Sequence, residues 1–307
     1  MKTMTPDNKI KKTGLGAKAS RRLGNTVIYI ILIAITVIWL FPFFGIVLES
    51  FRTEYAGQVS YLWPKELGLD NYIRLFKETD FFRWFKNTGI MGVATAVIQT
   101  FFVLSMSYVL SRLRFKARKP LMNFMLILGM FPGFLTMILI YKVFSDFGLT
   151  MQNAPLGLII VYCASSGMGY YVSKGFFDTI PRSLDEAARV DGATRWQVFY
   201  KLTLPLSKPI IATLSLFYAV GRWNSYSDNI YYIKTDALKM VQYKLYQMVS
   251  SAQEAQTAQL SEAVAVTSTP EVLQAAMIMF VTIPVICIYP FLQKYFVKGI
   301  MVGAVKG

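Results

Sequence analysis

Apolar residues in this chain gather into long blocks instead of recurring at the short periods of a soluble core. The blocks are roughly Val27–Leu48, Gly89–Leu110, Leu121–Tyr141, Leu156–Val172, Ile210–Val220 and Val272–Phe296, with polar stretches between them. Most reach the roughly 17–25 residues that a helix needs to cross a hydrocarbon layer about 30 Å thick. The fifth is short when bounded strictly, and is expected to extend back through Pro209 and forward to Trp223, since proline suits a first helical turn. In the sixth, Pro284 and Pro290 predict kinks, not breaks, because neighbouring helices can satisfy the freed carbonyls. The first block is too long for a signal-peptide core and is followed by no small-residue cleavage site, so it reads as a retained span. The pattern predicts an all-α integral membrane protein with six transmembrane helices.

Polar stretches between the blocks carry their own patterns. Residues 49–84 form an aromatic-rich loop, read either as a belt at the headgroups or, over 70–86, as an amphipathic interfacial helix. The last loop, Arg222–Glu271, has a Tyr-rich part and then a polar run, Ser250–Thr269, expected to be flexible or loosely helical. Gly129, Pro132 and Gly133 in the third block predict either a bend or a tight helix crossing.

Charge then orients the chain. The net charge is +15, which in a soluble protein would suggest nucleic acid. With six spans and the N-terminus inside, the inner segments are 1–26, 111–120, 173–209 and the end from Lys294. They hold 21 Lys and Arg against 5 acids, whereas the outer loops hold 11 against 12. That asymmetry is the positive-inside rule, with both termini cytoplasmic. Arg112, Arg114, Lys116, Arg118 and Lys119 form its densest cluster, with a place at anionic headgroups open to them. No nucleic acid is needed. Composition agrees: 54% of residues are apolar and only 16% charged, against about 25% charged in soluble domains.

Candidate chemistry is sparse. The chain has no histidine, which removes His-based acid–base catalysis, His-containing triads and most zinc sites. Cys163 and Cys287 lie in apolar blocks and read as packing residues, not a disulfide. No Gly-x-x-x-x-Gly-Lys-Ser/Thr loop is present to cradle phosphates. No charged residue occupies the centre of a block, where ion-coupled transport normally needs one. An enzyme, a metal site and a secondary transporter are each disfavoured.

One inner segment stands apart, residues 176–205. Ser183 with Glu186 three positions on has capping-box spacing, Ala187 and Ala188 are small enough for close approach, and Gly192 frees the backbone to turn. Trp196, Phe199 and Tyr200 then give a second short helix an aromatic face, which Pro205 is expected to end. The run Glu186-Ala187-Ala188, Asp191-Gly192-Ala193 and Leu204-Pro205 resembles the EAA loop of ABC importer permeases of the carbohydrate-uptake group. The likeness is to the maltose-permease partner type, and the ending Tyr289–Gly307 looks like its complex-oligosaccharide branch.

The resemblance implies a type I ABC importer permease fold. Its parts would be a basic N-terminus (1–26), a first transmembrane helix (27–48), the extracellular loop (49–84), a five-helix transmembrane domain (85–296) and a cytoplasmic tail (297–307). It also implies a bacterial plasma-membrane location and a partnership with a second permease, two ATPase subunits and an extracellular solute-binding protein. No cofactor would belong to this chain, ATP and Mg being held by the ATPases, and membrane lipid would surround it. Oligosaccharide is the implied cargo; a peptide or other solute stays open, because the EAA loop reads the ATPase and not the cargo. Sugars favour aromatic faces and hydrogen-bonding groups, so Trp223, Asn224, Tyr226 and Tyr231, with Arg222 and Tyr232, are candidates for the substrate pathway. Gln99, Asn123 and Gln274 are read either as such groups or as interhelical hydrogen bonds.

Overall fold

The computed structural model describes residues 15–53, 62–148, 155–164, 166–259 and 270–304. Helices account for nearly all of it. Three are unbroken and apolar enough to span a bilayer: within α1 (Leu15–Phe51), along α3 (Phe81–Arg112) and within α14 (Pro270–Ala304). Three bent pairs complete as many as six spans, if each pair is one span. They are α4 (Arg118–Met130) with α5 (Gly133–Asp146), α6 (Pro155–Ala164) with α7 (Gly167–Thr179), and the segment 195–206 with α11 (Lys208–Trp223). The bends are 103°, 54° and 80°.

Length and breakers explain these elements. α3 has 32 residues, about 48 Å at 1.5 Å per residue, so its first turns stand beyond the hydrocarbon layer. The expected helix over 70–86 is two helices. α2 (Asp70–Glu78) stops where Thr79 turns extended, and α3 restarts at Phe81, earlier than the apolar block at Gly89. α14 runs through Pro284 and Pro290 without a break, and Pro209 lies in the first turn of α11. The predicted bend and the predicted crossing in the third block both occur. Phe131 and Pro132 separate α4 from α5, while a Cβ on Gly129 would sit 2.9 Å from Gly167 Cα. Two hydrogens in place of side chains let the backbones of α4 and α7 touch.

α3 is the central post. Val103 and Leu104 pack with Phe177 and Ile180 of α7 and its end, and with Ile210 and Leu214 of α11. Gln99 is buried; its Nε2 donates to Tyr162 O at 2.9 Å and Ser166 Oγ at 2.6 Å, so it is an interhelical hydrogen bond. The other two candidates of that class divide. Gln274 ties α14 to α13 (Val241–Gln259) through Met248 O at 2.8 Å, and Asn123 is exposed.

Part of the aromatic loop packs on itself and on the bundle. Tyr72, Phe76, Phe81, Trp84 and Phe85 close with Phe280, Trp223 and Val241 into a core capping the end opposite the basic cluster. Phe76 stacks on Phe82 and meets Phe280 edge-on, each with centroids 4.9 Å apart. The first part of the polar run at Ser250 is ordered helix, as α13 reaches Gln259; residues 260–269 lie outside the described ones. By contrast Val27 to Phe44 of α1 are exposed, as a lipid-facing helix requires.

Candidate functional site

Arg112 fixes the site. At the last turn of α3 it ion-pairs with Asp185 at 2.9 Å, the two side chains 6% and 14% exposed, and Nη2 donates to Ile180 O at 3.0 Å. At the preceding residue, Ser111 Oγ donates to Asp178 Oδ1 at 2.6 Å, and Lys174 pairs with the same carboxylate. These contacts tie the segment after α7 to the end of α3. A cleft of about 170 Å3 remains between α3 and α8 (Arg182–Val190), with Arg112, Arg182, Arg189 and Arg195 facing Asp185 and Glu186.

α8 is held from its inner side and bare on its outer one. Asp185 and Ala188 face the body, whereas Glu186, Ala187, Asp191 and Gly192 are exposed and Ala193 is half-buried. Val190 is 87% exposed, an apolar side chain left without a neighbour. The helix start differs from the expected capping box. Pro181 is the N-cap, no side chain caps it, and Ser183 lies inside the helix. Proline enters with its φ already helical and needs no N–H partner, which shifts the start towards the N-terminus.

The capping box instead belongs to the next element. Thr194 N donates to Gln197 Oε1 at 2.7 Å and Gln197 N to Thr194 Oγ1 at 3.3 Å. Between the two helices Gly192 has φ +84°. Its N–H reaches Arg189 O at 3.1 Å and Ala193 N reaches Ala188 O at 2.9 Å. That pair of bonds is a Schellman turn, which requires the left-handed conformation glycine supplies cheaply.

α9 (Arg195–Gln197) passes into a π-helical stretch, Val198–Thr203, and then α10 (Leu204–Leu206). Pro205 therefore does not end the helix; the chain turns at Ser207. Proline lacks the donor and crowds the carbonyl four residues back, and the wider register just upstream accommodates it, with Leu204 N bonding Phe199 O. Phe199 is buried against Tyr108, centroids 4.8 Å apart. Trp196 and Tyr200 stay 58% and 51% exposed, so the aromatic face is divided between core and surface. Leu204 is half-buried and Pro205 exposed.

Residues 104–302 match the model of the family described as the binding-protein-dependent transport system inner membrane component. This chain belongs to that family. The permease is 35% identical over 277 residues to "Protein LplC" of Bacillus subtilis (strain 168), covering 89% of this chain and 90% of that one. It is 34% identical over 289 residues to a polygalacturonan/rhamnogalacturonan transport system permease protein, YtcP, of the same organism, covering 93% and 99%. Among solved structures it resembles a bacterial ABC transporter involved in import of the acidic polysaccharide alginate, with TM-score 0.72 and 27% identity, covering 90% of the permease and 98% of that chain. The family places the permease in a membrane as a transport component.

At the opposite end, the expected pathway residues take different roles. Trp223 Nε1 donates to Val281 O at 2.9 Å and the ring meets Phe85 edge-on at 5.2 Å, so it joins α11 to α14. Tyr232 is buried and donates to Met137 O at 2.8 Å. Tyr231 is half-buried near Phe134, and Asn224 is exposed. Tyr226 stacks on Tyr246 at 4.7 Å and 19°, the two rings 43% and 45% exposed, which makes the pair an open aromatic face.

Arg222 pairs with Asp228 at 3.0 Å and lies 3.6 Å over the Tyr162 ring. Tyr162 donates to the same Asp228 carboxylate, which is buried in α12 (Ser227–Tyr232). Asp228 and Asp185 escaped the sequence reading. The available signal was one of two acids, Asp228 and Asp236, in the Tyr-rich part of the last loop, and an Arg112 at a span end awaiting a partner. Neither says which residue meets which. Among the described residues no group of three or more His, Cys, Asp or Glu is arranged to hold a metal.

Proposed function

We propose that this permease carries oligosaccharides, complex glycan or polysaccharide fragments, from an extracellular binding protein into a bacterial cytoplasm, driven by ATP hydrolysis on separate subunits. The observation that supports this most is α8 itself. It is pinned to α3 through Arg112 and Asp185, yet offers Glu186, Ala187 and Val190 outward from a rigid Gly192 turn. Such an element transmits a push from a docked partner into α3, and thus into the bundle. Glu186, Ala187, Ala188, Asp191, Gly192, Ala193, Leu204 and Pro205 form the coupling loop in this reading. ATP and Mg reside in two ATPase subunits, a second permease completes the pathway, and both termini are cytoplasmic.

ATPase closure and opening then bias two states of the bundle, and cargo follows the difference. The named substrates of its relatives, polygalacturonan/rhamnogalacturonan for YtcP and alginate for the structural neighbour, support an oligosaccharide cargo. Tyr226, stacked on Tyr246, offers the sugar-stacking surface, and Asn224, Tyr231 and Trp223 complete the pathway residues in this reading.

The test is ATP-dependent uptake of pectic and alginate oligosaccharides by the reconstituted complex, comparing wild type with Glu186→Lys and Gly192→Pro. Proline cannot adopt the positive φ at 192. Assembled variants that lose both uptake and substrate-stimulated ATP hydrolysis support the reading. Uptake that persists without ATP, or with the loop broken, overturns it.

A further inference from the structure

No charged residue stands in the middle of an apolar block, yet the fold carries one in from a loop. α12 places Asp228 against Tyr162, seven residues beyond the start of α6, about 10 Å along that helix. Three donors converge on one oxygen, Asp228 Oδ2: the Tyr162 hydroxyl, Ser225 Oγ, and Arg222 Nη1 at 3.0 Å. The carboxylate side chain is 7% exposed and that of Arg222 24%. Charge inside a membrane bundle is costly, and it marks a pathway more often than a structural tie.

The cluster joins elements that would have to separate for a path to open. Arg222 ends α11, Asp228 belongs to α12 and Tyr162 to α6. Tyr162 is held at both ends, because its carbonyl accepts from Gln99 of α3 just before the break between α6 and α7. Tyr232, one turn along α12 from Asp228, donates to Met137 O of α5. Tyr232 and Ile233 close over the core around Leu158 and Ile159, and Cys163 packs against the same core.

The chemistry of this tie suits opening. Apolar surfaces that part into water only lose. Arg222 and Asp228, once wetted, regain the hydration they gave up on burial, which offsets the lost attraction. Two buried polar atoms beside the cluster also have no partner, Gln99 Oε1 and Asn229 Nδ2, and admitted water satisfies both. The exposed Tyr226 lies between Ser225 and Asp228 in the chain, so the face assigned to cargo and the buried carboxylate share one stretch of backbone. We propose that Arg222, Asp228 and Tyr162 form the outer gate of the pathway, shut in this structure and parted when the ATPases close. This gate rests on the transport reading above.

The experiment uses the permease assembled with its partner subunits in nanodiscs, with Cys287→Ser leaving Cys163 as the reporter thiol of this chain. Reaction of Cys163 with a charged methanethiosulfonate, read by mass spectrometry of this chain, should be slow at rest and fast with ATP and vanadate. With the open state at about 1–10% of the resting ensemble, Asp228→Asn should raise the resting rate about tenfold or more. Substrate-independent ATP hydrolysis should rise with it. Tyr162→Phe, which removes one donor of three, should raise both by a smaller factor. If both assembled variants melt earlier but keep the resting rate and the basal hydrolysis of wild type, the cluster is a structural tie and the gate is overturned. Uptake that persists while Cys163 reacts equally with and without ATP overturns the gate alone. Absence of ATP-dependent uptake from wild type overturns the transport reading and the gate with it.

Discussion

Gly167→Ala is expected to separate α4 from α7 and destabilise the permease as a whole. A Cβ at position 167 would lie 2.8 Å from both Cα and N of Gly129, and closer still to Met125 O. Carbon atoms rest about 3.5–4.0 Å apart, so the helices must part by about 0.7 Å or more at the crossing. Every atom met is backbone, and no side chain can rotate away. Overpacking of a fitted interior costs about 1–3 kcal/mol, and a rigid obstacle places this change at the upper end. At about 2–4 °C per kcal/mol for a chain of comparable size, the thermal midpoint in detergent should fall by about 6–12 °C. In a Cys287→Ser background, which removes the other free and exposed thiol, reaction of the half-buried Cys163 with a thiol-reactive dye on heating reads that midpoint. Gly175→Ala, on the same helix with nothing within 4 Å of its Cβ position, is the control and should shift the midpoint by less than about 2 °C. If Gly167→Ala melts with the control, the close crossing is not what holds α4 against α7.

Other consequences follow from single contacts. Arg112→Ala leaves Asp185 buried without its partner, which costs about 3–5 kcal/mol for a fully buried pair and less here because Asp185 is 14% exposed; limited proteolysis should cut the segment 176–205 faster while α3 stays protected. Gly192→Ala forces an alanine to φ +84°, a cost of about 1–2 kcal/mol; uptake and ATP hydrolysis should become partly uncoupled, whereas Gly192→Asn, which tolerates that region, should restore coupling. Burial, helped by repulsion from Lys244 and opposed by Asp236, holds Lys239 below the ordinary lysine value of 10.5. The unfolded chain therefore binds that proton more tightly, so this residue's contribution to stability rises as pH climbs from the lowered value towards 10.5. The thermal midpoint of wild type relative to Lys239→Met should increase between pH 8 and pH 10, and a flat difference would refute the assignment.

Gly192 announced its turn because only one residue type adopts that conformation without cost, and the Schellman bonds are where it required them. Ser183 misled because capping-box spacing is a local signal that Pro181 pre-empts, while the same signal at Thr194 and Gln197 was passed over. Pro205 predicts a stop, but a π-helical turn absorbs it. For the aromatic residues at 72–85, composition does not say which rings face one another, and the packing of Tyr72, Phe76, Phe81 and Trp84 with Phe280 comes from the fold.

The sequence by itself determined the membrane class, the location of the spans, the side on which the basic residues gather and the exposed loop with its family resemblance. These properties depend on block length, on summed charge and on local backbone chemistry, all of which are written in consecutive residues. Tertiary structure alone decided the pairings: Arg112 with Asp185, Tyr162 with Asp228, Gly129 with Gly167, and Lys174 with the cations 55–60 positions before it. Each joins positions distant in the chain, and in a helical bundle the 3.6-residue period fixes which face a residue occupies without fixing which helix lies opposite.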